Sequence, residues 1–263
     1  MRRSEARAVV LAALALGLAA PAEAKVKTEV VEYAQGDQTL EGYLAYDDAS
    51  TAKRPGVMVV HEWTGLGRYV KRRAEQLAQL GYVAFAADIY GKGVRPKDQK
   101  GAAAEAGKYR GNRPLLRARA AAGLQVLKGH RLVDPRRVAA IGYCFGGGTV
   151  LELARSGADL AGVVSFHGSL DTPNPDDARH VKAKVMAIHG GDDPFVPPEQ
   201  VTAFWNEMKK ARVDYQIVIL AGAVHGFTNP DSGNDPKKGM AYSPSADRRS
   251  WAEMQRFFGE IFH

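Results

Sequence analysis

Thiols are nearly missing from this chain: among 263 residues only Cys144 is a cysteine, so no internal disulfide braces the fold. Beyond residue 24 no apolar run approaches the roughly 20 residues that a bilayer span needs, and stable membrane insertion is not expected. Pro/Ser-rich linkers, low-complexity tracts and internal repeats are all lacking, so residues 25–263 read as one large domain. Zinc-ligand spacing of the His-Glu-x-x-His kind does not occur, which argues against metal-dependent hydrolysis. No cofactor is indicated, and no nucleic-acid-binding motif accompanies the net charge of +7.

What the chain does have begins at its N-terminus. Arg2, Arg3 and Arg7 bracket the start of an apolar stretch, Ala8 to Ala20, that runs into Pro21-Ala22-Glu23-Ala24. Charged, apolar and small-residue regions in that order read as a secretory signal cleaved after Ala24. The expectation is an exported protein, periplasmic or secreted, acting as a monomer. Loss of the signal removes three arginines and two glutamates and leaves +6. Between Lys92 and Arg119 nine basic residues face only Asp98 and Glu105. A segment so one-signed either steers an anionic partner or forms a solvated helix face.

Two alternating segments, Lys27–Tyr33 and Thr39–Tyr46, flank Gly36-Asp37 and predict an antiparallel hairpin at a sheet edge. Short apolar runs follow at Gly56–Val60, Tyr82–Ala87, Arg137–Ile141, Ala161–Phe166, Val185–Ile188 and Gln216–Leu220, as expected of strands buried on both faces. Helical periodicity lies between them at Tyr69–Leu80, Pro114–Lys128, Gly146–Arg155, Pro198–Ala211 and Ser245–Phe262. That alternation predicts an α/β architecture with a mostly parallel, doubly wound sheet. Functional groups of such sheets gather at the carboxyl ends of the strands, and Glu62, Asp88, Cys144, Asp193 and His225 all fall there.

Cys144 sits in Gly142-Tyr143-Cys144-Phe145-Gly146, a Gly-x-Cys-x-Gly run directly after an expected strand. Such a sharp strand-to-helix turn lifts one side chain above the sheet, and the flanking glycines avoid backbone clashes. A buried structural cysteine is the plainer alternative. A thiol attacks as thiolate, so catalysis at Cys144 calls for an imidazole beside it and the amino end of a helix. His225, in a glycine-flanked loop, is the candidate base, with His61, His167 and His189 as alternatives at other strand ends. Asp193 is the candidate acid that orients the imidazole, with Asp192 the alternative and an Asx-turn the structural reading of Asp193-Pro194. The backbone N–H groups of Phe145 and Trp63 are candidate oxyanion donors. Glu62 is either a proton partner for the thiol or part of a loop ion pair.

Gly-Tyr-Cys-Phe-Gly-Gly at 142–147, His-Glu-Trp-Thr-Gly-Leu at 61–66, Asp-Ile-Tyr-Gly at 88–91, Gly-x-x-Asp-Pro-Phe-Val-Pro at 190–197 and His-Gly-Phe at 225–227 together resemble the dienelactone hydrolase family. The resemblance runs from about Tyr43 to Phe262 and implies an α/β-hydrolase fold with a cysteine nucleophile. It implies a Cys144, Asp193, His225 triad, with Glu62 switching the cysteine between resting and reactive states. It also implies carboxymethylenebutenolidase-type cleavage of a small ester, lactone or thioester, anionic substrates included. Family members grip a substrate carboxylate with two arginines; here those positions fall at or near Lys92 and at Asn229. With Tyr90 these are the expected substrate-binding residues, although lysine lacks the guanidinium fork and asparagine is neutral. A non-catalytic ligand-binding or scaffold protein of the same fold is the contrasting expectation.

Overall fold

The hairpin forms around Gly36, whose φ of +56° permits the tight reversal between β1 (Val26–Gln35) and β2 (Gln38–Asp47). The computed structural model describes residues 25–263, so the expected leader lies outside the described residues. β2 runs antiparallel to β4 (Val83–Ala87), which places the hairpin at one edge of an eight-stranded sheet. The remaining strands, β3 (Arg54–Val60), β5 (Val133–Tyr143), β6 (Gly162–Phe166), β7 (Lys184–Gly190) and β8 (Tyr215–Leu220), are parallel to one another and to β4. Their order is β1-β2-β4-β3-β5-β6-β7-β8, with the crossover at β3 and β4.

Helices cover both faces. Side chains alternate along β3: Val57 and Val59 join one core with α1 (Arg68–Gln79) and α6 (Pro244–Ile261), while Met58 and Val60 join the other. That second core holds α2 (Gln99–Arg110), α3 (Arg113–Gly129), α4 (Phe145–Arg155) and α5 (Pro198–Ala211). Burial on two faces explains why β4 reads as an unbroken apolar run and β6 as one broken only by Ser165.

Two elements depart from the sequence expectation. α2 was not expected, because its run of alanine and glycine buries only Ala102, Ala106 and Tyr109 and so carries little periodicity. Its signal lies in the cap, where the Asp98 carboxylate accepts from Gly101 N–H at 2.7 Å. β5 begins at Val133 rather than Arg137, extended through polar residues that periodicity does not flag.

The basic segment is not a uniform solvated face. Arg113 pairs with Asp171, Arg117 with Glu152 and Asp177, and Arg119 is buried. Next to this cluster the fully buried Arg155 of α4 forks onto Glu207 of α5 at 2.7 and 2.8 Å and reaches Glu152 at 3.0 Å. Much of the positive charge between residues 92 and 119 is thus neutralised by acids from elsewhere in the chain.

Candidate active site

β5 delivers Cys144 to the carboxyl edge of the sheet, and α4 leaves at once in a new direction. A Cβ on Gly142 would lie 2.0 Å from the Gly146 carbonyl oxygen, and one on Gly146 would lie 2.3 Å from that of Val60. Neither position accommodates a side chain, so the turn can close only with glycine there. Cys144 itself adopts φ +54°, which costs a non-glycine residue about 1–3 kcal/mol. Its N–H donates to the Phe166 carbonyl at 3.0 Å and so ties the strained residue to β6.

His225 arrives from the loop after β8. Its N–H donates to Gly239 O and its carbonyl accepts from Ala241 N–H, both at 3.1 Å, so the segment around a short 3-10 turn (Pro236–Lys238) clamps it from outside. The imidazole Nε2 lies 3.1 Å from Cys144 Sγ and Nδ1 lies 2.8 Å from Asp193 Oδ2. Asp193 is buried and its other oxygen accepts from Phe195 N–H at 2.9 Å, so the turn reading and the histidine contact hold together. Asp192 is exposed. His61 accepts from Ile89 N–H through Nε2 and touches the Glu62 carbonyl through Nδ1, and burial pushes it down to about 4. His167 lies 2.7 Å from the Thr228 hydroxyl through Nε2. Both rings hold loops, whereas His225 is the ring in contact with sulfur.

Electrostatics separate two titrating groups. Burial opposes charge on His225, yet the Cys144 sulfur and the Asp193 carboxylate outweigh it and lift the imidazole to about 10. Burial raises Glu62 to about 7, against the Asn229 amide that donates to it at 2.6 Å. Asn229 therefore meets Glu62 rather than the cavity. Lys92 does not line the cavity either: its N–H is bonded to Thr39 O of the hairpin and its ammonium lies 2.6 Å from Glu32 on β1. Tyr90 is buried behind the site, its hydroxyl donating to the Trp63 carbonyl at 2.9 Å. Trp63 lines the cavity, and Phe145 opens α4, where the first amides have no partner within the helix.

The cavity above Cys144 holds about 500 Å³. Trp63, Phe195, Val196 and Met240 form its apolar part, and Gln99, Ser169, Ser232, Arg110 and Lys238 its polar part. Arg110 was read from the sequence only as a member of the basic segment 92–119 and Lys238 not at all, since one ends the unexpected α2 and the other closes the short turn Pro236–Lys238. Their only signal was local charge. Among the described residues no cluster of His, Cys, Asp and Glu is arranged to hold a metal, and no helix is long and apolar enough to cross a membrane.

The model of the dienelactone hydrolase family matches residues 40–262. The chain belongs to that family. It is a hydrolase with the α/β-hydrolase fold of the dienelactone hydrolases. A crystal structure of a dienelactone hydrolase-like promiscuous phosphotriesterase from metagenomic libraries superposes with a TM-score of 0.87 at 39% identity, covering 90% of this chain and 99% of the other. Protein usf of Aquifex pyrophilus is 30% identical over 88% of this chain and 98% of its own length. Dienelactone hydrolase from Anabaena variabilis shares the fold at a TM-score of 0.68 and 20% identity, over 90% of this chain and 99% of that one.

Proposed function

We propose that this dienelactone hydrolase family member cleaves a small carboxylic ester or lactone through an acyl-enzyme on Cys144. The observation that carries the reading is the unbroken line Cys144 Sγ, His225, Asp193 at 3.1 and 2.8 Å on the wall of a cavity. Thiolate Cys144 attacks the carbonyl carbon, and the oxyanion that forms is held by the Phe145 and Trp63 N–H groups. The tetrahedral species collapses as the carbon–oxygen bond breaks and the leaving oxygen takes the proton of the His225 imidazolium. His225, now neutral, removes a proton from water, which attacks the thioester. The carboxylic acid departs, and the thiolate and imidazolium are restored. Asp193 fixes the imidazole tautomer and favours its charged form throughout.

The substrate is anionic in this reading. Arg110 and Lys238 supply charge at the cavity wall, while Phe195 and Trp63 suit an apolar or unsaturated portion. The N-terminal charged, apolar and small-residue pattern supports export to the periplasm or medium, checked by cell fractionation and sequencing of the mature N-terminus. The function is tested by assaying activated aryl esters and dienelactone with the wild type, Cys144→Ala and His225→Ala, and by mass spectrometry of the quenched protein. Turnover lost in both variants, with a mass adduct on Cys144, is expected. Turnover that survives Cys144→Ala would overturn the mechanism.

A further inference from the structure

Behind Glu62 lies a buried cation for which the mechanism above has no use. Arg73 projects from α1 and is 5% exposed, ion-paired with Asp247 at the start of α6. Its guanidinium donates to the Thr228 carbonyl at 2.9 Å and to the Tyr69 hydroxyl at 3.1 Å. Tyr69 in turn donates to the Thr228 hydroxyl at 2.6 Å, whose oxygen also meets His167 Nε2 at 2.7 Å. The rings of Tyr69, Tyr143 and Trp251 enclose the guanidinium at 5.1 to 5.6 Å. Three side chains of this cluster, Arg73, Tyr69 and His167, meet at Thr228, while the guanidinium also donates to Gln76 at 3.1 Å.

Thr228 is followed by Asn229, whose amide holds the Glu62 carboxyl, and stands three residues after His225. We infer that Arg73, braced by Asp247, is a positioning residue for the reaction: by gripping the Thr228 carbonyl it fixes the Asn229 amide on the Glu62 carboxyl. A surface-type ion pair would not need an aromatic hydroxyl, a backbone carbonyl and three rings around it. Lysine could not reproduce the arrangement, because its single ammonium cannot address Tyr69, Thr228 and Asp247 from a fixed plane. Arg73 also lowers the Glu62 pKa through its charge, as does His225, whereas Asp231 raises it. The inference rests on the Cys144 hydrolase reading.

The test compares wild type, Glu62→Gln, Arg73→Met and the double variant Arg73→Met/Asp247→Asn. The last removes both buried charges together, so that neither is left unpaired. Two profiles are taken against pH: kcat/KM for an aryl ester, and the rate of Cys144 alkylation by iodoacetamide. The expected result is a loss in kcat/KM of roughly ten- to hundred-fold, as for a misplaced catalytic group. The inflection near 7, identified as that of Glu62 by its disappearance in Glu62→Gln, should move to higher pH in both Arg73 variants. A folded double variant that keeps the wild-type inflection in both profiles would overturn the inference, because a purely structural Arg73 lowers Tm without moving it. Failure of the hydrolase reading shows itself separately, as turnover that persists in Cys144→Ala.

Discussion

At the scale of residues, the site separates a group that carries its proton at neutral pH from one that is half ionised there. His225 is lifted to about 10, so its imidazolium is present below that pH and is lost as pH rises through it. Glu62 is raised to about 7, so it is protonated below and a carboxylate above. The profile of kcat/KM should therefore fall above about 10 and carry a second inflection near 7, and Glu62→Gln should remove the second while leaving the first. At the cavity wall, Arg110→Ala or Lys238→Ala should raise KM for a carboxylate-bearing ester by roughly three- to thirty-fold, the range of a charge-assisted contact at a half-open site. A neutral ester measured beside it should change little. The positions of Cys144, Asp193, His225 and Glu62 at the carboxyl edge of the sheet were legible in the sequence because each follows a recognisable strand within a few residues. Arg110 and Lys238 were not, because cavities are made by loops and helix ends that carry no period. The resemblance put a substrate-binding position at or near Lys92, but its backbone is bonded to the hairpin, and the side chain follows the hairpin to Glu32.

At the scale of elements, the apolar stretches of the inner strands were read closely because burial on both faces keeps them apolar, although edge strand β8 is only partly buried, and α5 is bounded as expected because Pro198 opens it. α2 shows the opposite case, a helix specified by its Asp98 cap and by the Asn112 cap that starts its neighbour, with little amphipathic stripe between. Helix α4 opens with Phe145, whose N–H is the proposed oxyanion donor, and carries Arg155 near its other end, so its placement depends on how that buried charge is met. Glu207→Leu would leave the Arg155 fork facing only Glu152 and the Leu170 carbonyl. Removing one partner of a buried pair costs about 3–5 kcal/mol, so the midpoint in chemical denaturation should drop accordingly. The paired change Arg155→Met with Glu207→Leu should recover much of that loss.

At the scale of the whole molecule, acids drawn from distant segments pair with several of the basic residues between 92 and 119. The exposed cations of that stretch, Lys97, Lys100 and Lys108, lie next to or on the helix that ends in Arg110. Charge left unpaired beside a cavity acts at a distance, and salt shortens that reach from about 30 Å at 0.01 M to about 8 Å at 0.15 M. KM for an anionic ester should thus rise with ionic strength, while that of a neutral ester stays level, measured on the same preparation. The architecture was legible as a whole because its rules are periodic, whereas the charge arrangement was not, since ion pairs join residues as far apart as Arg117 and Asp177. The seating of the single thiol has one more consequence. With one cysteine per chain, and that one opening onto the cavity, an alkylating reagent can take up no more than one equivalent per molecule. A denatured chain exposes the same thiol, so the difference between native and denatured labelling rates, and its response to a molecule that fills the cavity, reports whether that cavity is formed.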